Sequence, residues 1–308
     1  MFRRAKRANC YIGFCMDGVI VVDKPVGWTS HDAVNKMRRL AGTRRVGHLG
    51  TLDPMATGVL PLVLEKATRL AQFYMRSDKK YEARVRFGYS TDTCDRDGTP
   101  TSEPVAVTLD PAAMELALDR YRGTILQTPP AISAKKIGGV PAYKLARKQI
   151  PVVLKPVQVT IYSLDLVECG QDWIRVRVHC SAGTYLRSIA ADLGQQLGCG
   201  AFLDSLRRTE SGGFSIETAR TIPEIEALAG QGRLQQAVIP TSQLLPQFPN
   251  EQVDAITASQ IRQGRDFRVS PFRARGDTRY VKAIGPQGDL VAIGEAKLPN
   301  LYHPILVL

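Results

Sequence analysis

The segment WIRVRVHC, residues 173–180, alternates strictly between apolar and polar side chains. Its apolar side chains, which would share one face of an extended chain, are Ile174, Val176, Val178 and Cys180. A period of two is typical of a strand with one buried and one exposed face. EARVRFG, residues 82–88, has the same pattern, and no strand–helix–strand repeat is evident. The sequence therefore predicts an α+β fold with a mixed, mostly antiparallel central sheet and flanking helices.

Three segments have helical features: residues 30–41 with Ser30 as the expected N-cap, residues 110–123, and residues 184–198. In the last of these, the residues at core spacing are Leu186, Ile189, Ala190, Leu193 and Leu197. GVIVVDKP, residues 18–25, is predicted to be a buried strand. The Pro- and Gln-rich residues 238–252 are predicted to be a linker to a small β-rich C-terminal domain.

The charge of the chain favours a polyanionic partner. Lys and Arg number 41 against 29 Asp and Glu, a formal charge of +12. Residues 121–164 contain no acidic side chain, and their basic residues are Arg122, Lys135, Lys136, Lys144, Arg147, Lys148 and Lys155. A solvated face is one interpretation, and a surface that contacts phosphates is the other. A membrane-surface protein is the alternative for the whole chain, but no strongly amphipathic basic helix supports it.

The six cysteines form no CxxC pair, which argues against a metal site or a disulfide scaffold. They are expected to be reduced and mostly buried thiols of a cytosolic protein. The basic residues 1–16 have too short an apolar run for a signal peptide, and Met16 is a plausible alternative start.

Residues 47–58, GHLGTLDPMATG, confine one carboxylate, Asp53, between glycines and a proline. Pro54 disfavours a helical conformation for Asp53 and suits the first position of a helix, so Asp53 is a candidate N-cap. Gly58 and Pro61 leave room for only about one helical turn. A structural turn and a loop that presents Asp53 to a cleft both remain open.

Other side chains are less distinctive. Arg187 lies in the first turn of a predicted helix, where the helix dipole disfavours a cation, so either a buried carboxylate partner or a path to solvent is expected. Tyr81 could be an ordinary strand aromatic, and His48 a hydrogen-bonding loop residue. Residue patterns alone predict no more than a basic protein that binds RNA or DNA, with Asp53 as a candidate catalytic residue.

Five segments, in this order and spacing, resemble the motifs of the TruB-type tRNA pseudouridine synthases. They are VDKPVGWTSHD (22–32), VGHLGTLDPMATGVLPL (46–62), DKKYEARVRFG (78–88), CSAGTYLRSIAADLG (180–194) and LRRTESGGF (206–214). The resemblance covers residues 17–308, and the tail resembles the PUA domain of the family. The segment 46–62 departs from the family pattern at Leu49, where many relatives have a small or hydroxylated residue.

The resemblance implies isomerisation of uridine to pseudouridine at position 55, in the T-loop of tRNA, without a cofactor or a metal. Asp53 would be the catalytic carboxylate, Arg187 its ion-pair partner, and Tyr81 the residue that stacks on the base and accepts its C5 proton. His48 would help to hold the T-loop, with Lys24 and Tyr185 near the site. The RNA-binding lysines expected in the mobile insertion 129–150 are Lys135, Lys136, Lys144 and Lys148.

The implied organisation is a basic tail (1–16), a catalytic domain of the pseudouridine synthase fold (17–245) and a PUA-like RNA-binding domain (250–308). A cytoplasmic monomer that acts on the T-arm of tRNA, with no membrane and no obligate protein partner, is expected. Two alternatives stay open. One is a non-catalytic RNA-binding protein or tRNA-folding chaperone on the same scaffold, and the other is a guide-RNA-dependent relative.

Overall fold

The computed structural model describes residues 16–130, 136–137, 140–141, 154–270 and 279–308. Its strands are, in chain order, β1 (Gly18–Lys24), β2 (Val46–His48), β3 (Thr57–Leu64), β4 (Lys79–Phe87), β5 (Gly123–Gln127), β6 (Lys136–Ile137), β7 (Val140–Pro141), β8 (Val157–Cys169), β9 (Trp173–Cys180), β10 (Ala201–Ser211), β11 (Phe214–Ser215), β12 (Arg220–Thr221), β13 (Ile239–Pro240), β14 (Asn250–Gln252), β15 (Phe267–Arg268), β16 (Tyr280–Ile284), β17 (Leu290–Leu298) and β18 (Leu301–Val307). Its α-helices are α1 (Ser30–Ala41), α2 (Pro111–Asp119), α3 (Leu186–Gln196), α4 (Ile222–Gly230) and α5 (Ala255–Arg262).

A large sheet has the strand order β12, β1, β3, β10, β4, β9, β8, β5, with β13 beside β1, β2 beside β3 and β11 beside β10. β1 pairs with β12, and β3 with β10, in parallel, while the other neighbours pair antiparallel. The predicted α+β fold with a mixed, mostly antiparallel sheet is therefore confirmed. β10 lies between β3 and β4, so it brings a late segment of the chain against two early ones.

The apolar face of the alternating strands packs under the helices. Ile174 and Val178 of β9 join a core that also contains Met37 of α1 and Leu193 of α3. β1 and β3 are buried on both faces, which explains their nearly continuous apolar sequences. The alternating strand β9 thus buries the face that its residue period predicts.

A second sheet, with the strand order β14, β16, β17, β18, β15, follows at the C-terminal end and confirms the predicted β-rich region. Ile284 and Ile293 of this sheet pack with Val19 and Val63 on the far face of the large sheet. Leu244 and Leu245 are buried in the same cluster. The prediction of a linker over residues 238–252 is therefore wrong, because this segment carries core residues between the two sheets.

Three local predictions are corrected. The N-cap of α1 is Thr29, whose side chain accepts from the Asp32 N–H, and not Ser30. α2 ends at Asp119 and not near residue 123, since Gly123 already begins β5. Leu197 is 39% exposed beyond the end of α3, so it is not a core residue.

Cys94, Cys169, Cys180 and Cys199 are free thiols, as predicted, but only Cys180 is buried. Cys10 and Cys15 lie outside the described residues, together with most of the predicted basic tail. No helix in the ranges that the structure describes is long and apolar enough to cross a membrane.

Candidate active site

The segment that carries Asp53 is an irregular loop between β2 and β3. The Ala56 N–H donates to the Asp53 carbonyl over 3.1 Å, which closes a turn at Pro54, and β3 begins at Thr57. Asp53 therefore caps no helix. Its side chain remains 33% exposed.

Two buried cations hold the main chain on either side of Asp53. The guanidinium of Arg208 donates through Nη2 to the Gly50 carbonyl (3.1 Å) and through Nη1 to the Thr51 carbonyl (3.2 Å). The Lys24 ammonium donates to the Pro54 carbonyl over 3.3 Å. Buried carbonyl groups need a donor, so these contacts fix the path of the loop.

Helix α1 secures the centre of the same loop. The Leu52 N–H donates to the Ser30 hydroxyl over 2.8 Å, and this hydroxyl lies 3.2 Å from the Leu52 carbonyl. The Gly27 N–H, just before the helix, donates to the Pro54 carbonyl over 2.8 Å. Every carbonyl from residue 50 to residue 54 thus has a donor, and Asp53 projects from a fully braced segment.

The Asp53 carboxylate pairs with Arg187 of α3. Nε of Arg187 lies 2.9 Å from Oδ2 of Asp53, and Nη2 donates to Oδ1 over 3.3 Å. Such a two-point pair fixes the orientation of the carboxylate as well as its distance. Arg187 is only 4% exposed, so of the two expectations for this residue, the buried carboxylate partner is the one observed.

A second carboxylate holds the other end of Arg187. Nη1 lies 3.6 Å from Oδ2 of Asp95 and donates to the Thr93 carbonyl over 3.1 Å. Asp95 itself is buried, and this burial raises its pKa, although the Thr93 hydroxyl and Arg187 oppose the shift. The guanidinium therefore bridges a buried carboxylate and one that faces solvent.

Asp53 and Arg187 line a cavity of about 520 Å³. Its other charged or aromatic lining residues are Lys79, Tyr81, Tyr185 and Arg208. Strands β4 and β10, the Asp53 loop and the start of α3 converge here. The volume is in the range of small-molecule sites and suits a single nucleotide lifted out of a helix.

Tyr81 forms the inner wall of this cavity. It lies on β4 opposite Arg208 of β10 and opposite Val178 of β9, and it is buried. Burial raises the pKa of Tyr81, while the charge of Arg208 opposes this rise. At neutral pH the hydroxyl is thus a neutral group near a cation.

Tyr185 lies at the N-terminal end of α3. Its main chain is held by Gln127 of β5, the strand at one edge of the large sheet. Oε1 of Gln127 accepts from the Tyr185 N–H over 2.8 Å, and Nε2 of Gln127 donates to the Tyr185 carbonyl over 3.0 Å. Gln127 is 2% exposed at the end of β5. This amide ties the cavity wall to the end of β5, which precedes the predicted RNA-clamping insertion.

Two predicted site residues contribute from behind the cavity. Lys24 is fully buried, and burial lowers its pKa to about 8, against the attraction of Asp53. Its ammonium also donates to the Pro25 and Trp28 carbonyls, so it braces the loop instead of facing the cavity. Nδ1 of His48 lies 3.4 Å from the Gly50 N–H, and burial lowers the pKa of His48, so the ring accepts this bond in its neutral form.

The remaining predicted positions are not tested by the geometry. The side chains of Lys135, Lys136, Lys144 and Lys148 lie outside the described residues. Leu49, the departure from the family pattern, is 2% exposed and packs in the core shared by the two sheets. Its size is accommodated by inward packing.

The residues missed at the sequence level are Asp95, Lys79 and Arg208. Arg207 and Arg208 are adjacent on a strand, so alternation places one of them inside, which was a usable signal. Lys79 precedes Tyr81 by two residues and therefore shares its face of β4. Asp95 lies in a turn-rich segment with three other carboxylates nearby, and nothing local distinguishes it.

Within the described residues, no group of three or more His, Cys, Asp or Glu side chains is arranged to hold a metal ion. The chemistry supported by the cavity is that of an oriented carboxylate beside a buried tyrosine, in a cationic surround. A carboxylate in this setting can serve as a nucleophile or as a base.

Comparison with known proteins places this geometry in a family. The solved structures that this chain resembles include a Cbf5–Nop10–Gar1 complex, with 27% identity, a TM-score of 0.68, and coverage of 92% of this chain and 80% of the other. An H/ACA RNP bound to a substrate RNA containing 2′-deoxyuridine has 24% identity and a TM-score of 0.71, and the match covers 95% of this chain and 85% of the other. At this identity the likeness supports the fold alone.

Curated relatives are closer in sequence. The chain is 60% identical over 293 residues to tRNA pseudouridine synthase B of Solibacter usitatus, covering 95% of this chain and 100% of that protein. It is 43% identical to the protein of the same name from an Azoarcus species, with 95% of each covered. Residues 38–186 match the N-terminal domain of the TruB family pseudouridylate synthases, and residues 187–246 match the tRNA pseudouridylate synthase B C-terminal domain. The chain belongs to the TruB family of pseudouridylate synthases.

Proposed function

We propose that the chain isomerises uridine to pseudouridine at position 55, in the T-loop of tRNA. The observation that carries this proposal is the Asp53 carboxylate, which is partly exposed in a nucleotide-sized cavity and held at two points by buried Arg187. A base stacked within the T-loop cannot reach such a carboxylate, so the uridine must be flipped into the cavity.

The reaction breaks the N-glycosidic bond and joins C5 of the uracil to C1′ of the ribose. C5 loses a proton and N1 gains one, so the product is an isomer of the substrate. Asp53 serves either as a nucleophile that attacks the ribose or the uracil, or as a general base that removes a proton from the ribose. Tyr81 stacks on the uracil and accepts the C5 proton as its own hydroxyl proton passes to solvent, which supplies the proton that N1 gains. Arg187 keeps the Asp53 carboxylate oriented. Tyr185 borders the base, and His48 supports the loop that meets the T-loop.

Affinity for RNA is assigned to basic surfaces outside the cavity. The insertion 129–150 and the PUA-like region 250–308 are proposed to contact the tRNA, with residues 17–245 as the catalytic domain. Phosphate contacts by Lys and Arg supply most of such affinity. The chain is proposed to act in the cytoplasm as a monomer, on bare tRNA and without an obligate protein partner, a cofactor or a metal.

The test is to map pseudouridine in a tRNA transcript incubated with the purified chain. Asp53→Asn is expected to abolish the product while the RNA dissociation constant stays within about tenfold, because the amide keeps the shape and loses the charge. Asp172→Asn is the matched control, since Asp172 forms an exposed pair with Arg86 outside the cavity (3.1 Å). It is expected to leave the product yield unchanged.

Three outcomes would contradict parts of the proposal. Full activity of Asp53→Asn would remove Asp53 from catalysis. If the wild-type chain is active only with added guide RNA and protein subunits, it is a guide-dependent enzyme, and its proposed action on bare tRNA is wrong. tRNA refolding without any pseudouridine formation by the wild type would favour the non-catalytic chaperone.

A further inference from the structure

We propose that Arg208 is a positioning residue for the reaction, which holds the Asp53 loop in one fixed arrangement beside Tyr81. The inference rests on the proposed function, because it takes Asp53 and Tyr81 as the acting groups. Arg208 would act through main-chain carbonyls, without being the nucleophile or the base.

Arg208 occupies the junction of the strands that build the cavity. It lies on β10, in register with Gly58 of β3 on one side and with Tyr81 of β4 on the other. Its side chain is 1% exposed. The preceding Arg207 points to the opposite face and pairs with Asp23 (2.8 Å), as strand alternation requires.

All three guanidinium nitrogens of Arg208 contact main-chain oxygens. Nε donates to the Val59 carbonyl (2.7 Å), Nη1 to Thr51 (3.2 Å) and Nη2 to Gly50 (3.1 Å). Arg208 also lies opposite Tyr81 in the β4–β10 pair, and both side chains line the cavity, where the charge of Arg208 opposes the rise that burial gives the pKa of Tyr81. The planar fork thus ties the start of β3 to the loop beside Tyr81 through three separate nitrogens, whereas a lysine would have to donate to all three carbonyls from one nitrogen.

Two glycines lie against Arg208, Gly58 against its main chain and Gly50 against its guanidinium. A Cβ on Gly58 would lie 2.2 Å from the Arg208 carbonyl oxygen, and one on Gly50 would lie 3.5 Å from Nη1 of Arg208. Both glycines have positive φ values, +100° and +148°, which residues with a Cβ rarely adopt. Gly58 therefore lets β3 approach the main chain of β10 closely, and Gly50 supplies the positive φ with which the loop passes the guanidinium.

This arrangement predicts a loss of rate with RNA binding retained. Asp53 follows Thr51 by two residues, so releasing the Gly50 and Thr51 carbonyls lets the carboxylate shift relative to Tyr81. A misplacement of about 1 Å can lower a rate by about a hundredfold. The cationic character of the cavity survives in Arg208→Lys, so the attraction of RNA is preserved.

The experiment compares Arg208→Lys with Arg207→Lys, its neighbour on the opposite face. Single-turnover pseudouridine formation on a T-arm RNA, the dissociation constant of that RNA, and amide hydrogen exchange of residues 47–58 in the free protein are measured. Arg208→Lys is expected to lower the rate by about a hundredfold, to change the dissociation constant by less than about threefold, and to accelerate exchange in the loop. Arg207→Lys is expected to resemble the wild type in all three. Arg208→Gln serves as a second variant, with urea unfolding as the check that each protein is folded.

Wild-type rate and exchange in Arg208→Lys would overturn the inference. Equal losses of rate and affinity would also overturn it, because Arg208 would then act in RNA binding. Faster unfolding of the whole chain without selective exchange in the loop would reduce Arg208 to a general stabilising residue. If the wild type forms no pseudouridine, the proposed function fails, while the exchange comparison still decides whether Arg208 braces the loop.

Discussion

Removing the Arg187 guanidinium is expected to leave a buried negative charge without its partner. Asp95 is the group affected, since it is buried and its Oδ2 lies 3.6 Å from Nη1 of Arg187. At that distance and an effective dielectric constant of about 20, the attraction is about 4–5 kcal/mol. Losing one partner of a buried pair costs about 3–5 kcal/mol, so we expect Arg187→Met to lower the free energy of unfolding by about 3 kcal/mol. Asp53 adds little, because a third of its side chain is exposed.

The sign of the pH dependence follows from Asp95. Burial already raises the pKa of Asp95 above its ordinary value, and Arg187 opposes that rise. In Arg187→Met the pKa of Asp95 therefore rises further. A carboxyl whose folded pKa is raised favours the folded state below its unfolded pKa, about 4, and this stabilisation is lost as the pH climbs through the folded value. The cost of Arg187→Met is thus expected to be smaller near pH 4 than at pH 8.

Urea unfolding of wild type, Arg187→Met and Arg187→Met/Asp95→Asn at both pH values measures this effect. The asparagine removes the stranded charge and keeps an acceptor for the Thr93 hydroxyl, so the double variant is expected to recover most of the loss at pH 8. A double variant no more stable than the single one, or a cost independent of pH, would refute the reasoning.

Two further predictions concern the proposed RNA-binding insertion and a glycine of β3. Neutralising four lysines is expected to weaken tRNA binding and flatten its salt dependence, by up to about three units of log–log slope, and an unchanged slope would refute a phosphate clamp. These lysines are Lys135, Lys136, Lys144 and Lys148. Gly58→Ala is expected to destabilise the fold by about 3 kcal/mol, because its Cβ would lie 2.2 Å from the Arg208 carbonyl oxygen. Gly27→Ala, with a positive φ but open space, is the control in urea unfolding and is expected to cost about 1 kcal/mol.

The sequence predicted best the elements whose period is visible locally. The alternation of β9 and the core positions of α3 near Ile189 and Leu193 appear as expected, since one face of each packs against the core. Leu197 was predicted to be buried but is exposed, and the burial of Leu244 was not predicted. Both depend on which residues lie opposite in space. A Pro-rich segment resembles a linker in composition even where it fills the gap between two sheets.

The candidate site shows the same division between local and distant information. The restrained backbone of Asp53 and the unusual place of Arg187 were visible in the sequence, but their contact joins residues 134 positions apart. The roles of Arg208 and Asp95 depend on strand order, with β10 inserted between β3 and β4, and no local pattern contains that order. The resemblance to the family motifs linked Asp53 to Arg187, but it assigned no role to Arg208 or Asp95.

The charges around the cavity explain why one exposed carboxylate can work on a polyanion. RNA phosphates would bring negative charge to a site where the proposed reaction uses the negative Asp53 carboxylate, and repulsion would oppose their approach. Arg187, Arg208, Lys79 and Lys24 lie buried beneath or beside the loop and exceed the carboxylates Asp53 and Asp95 in number. Three of these cations, Arg187, Arg208 and Lys24, also hold the Asp53 loop or its carboxylate in place. The same buried side chains thus fix the geometry of the loop and offset the repulsion, so replacing one by a neutral residue is expected to disturb both.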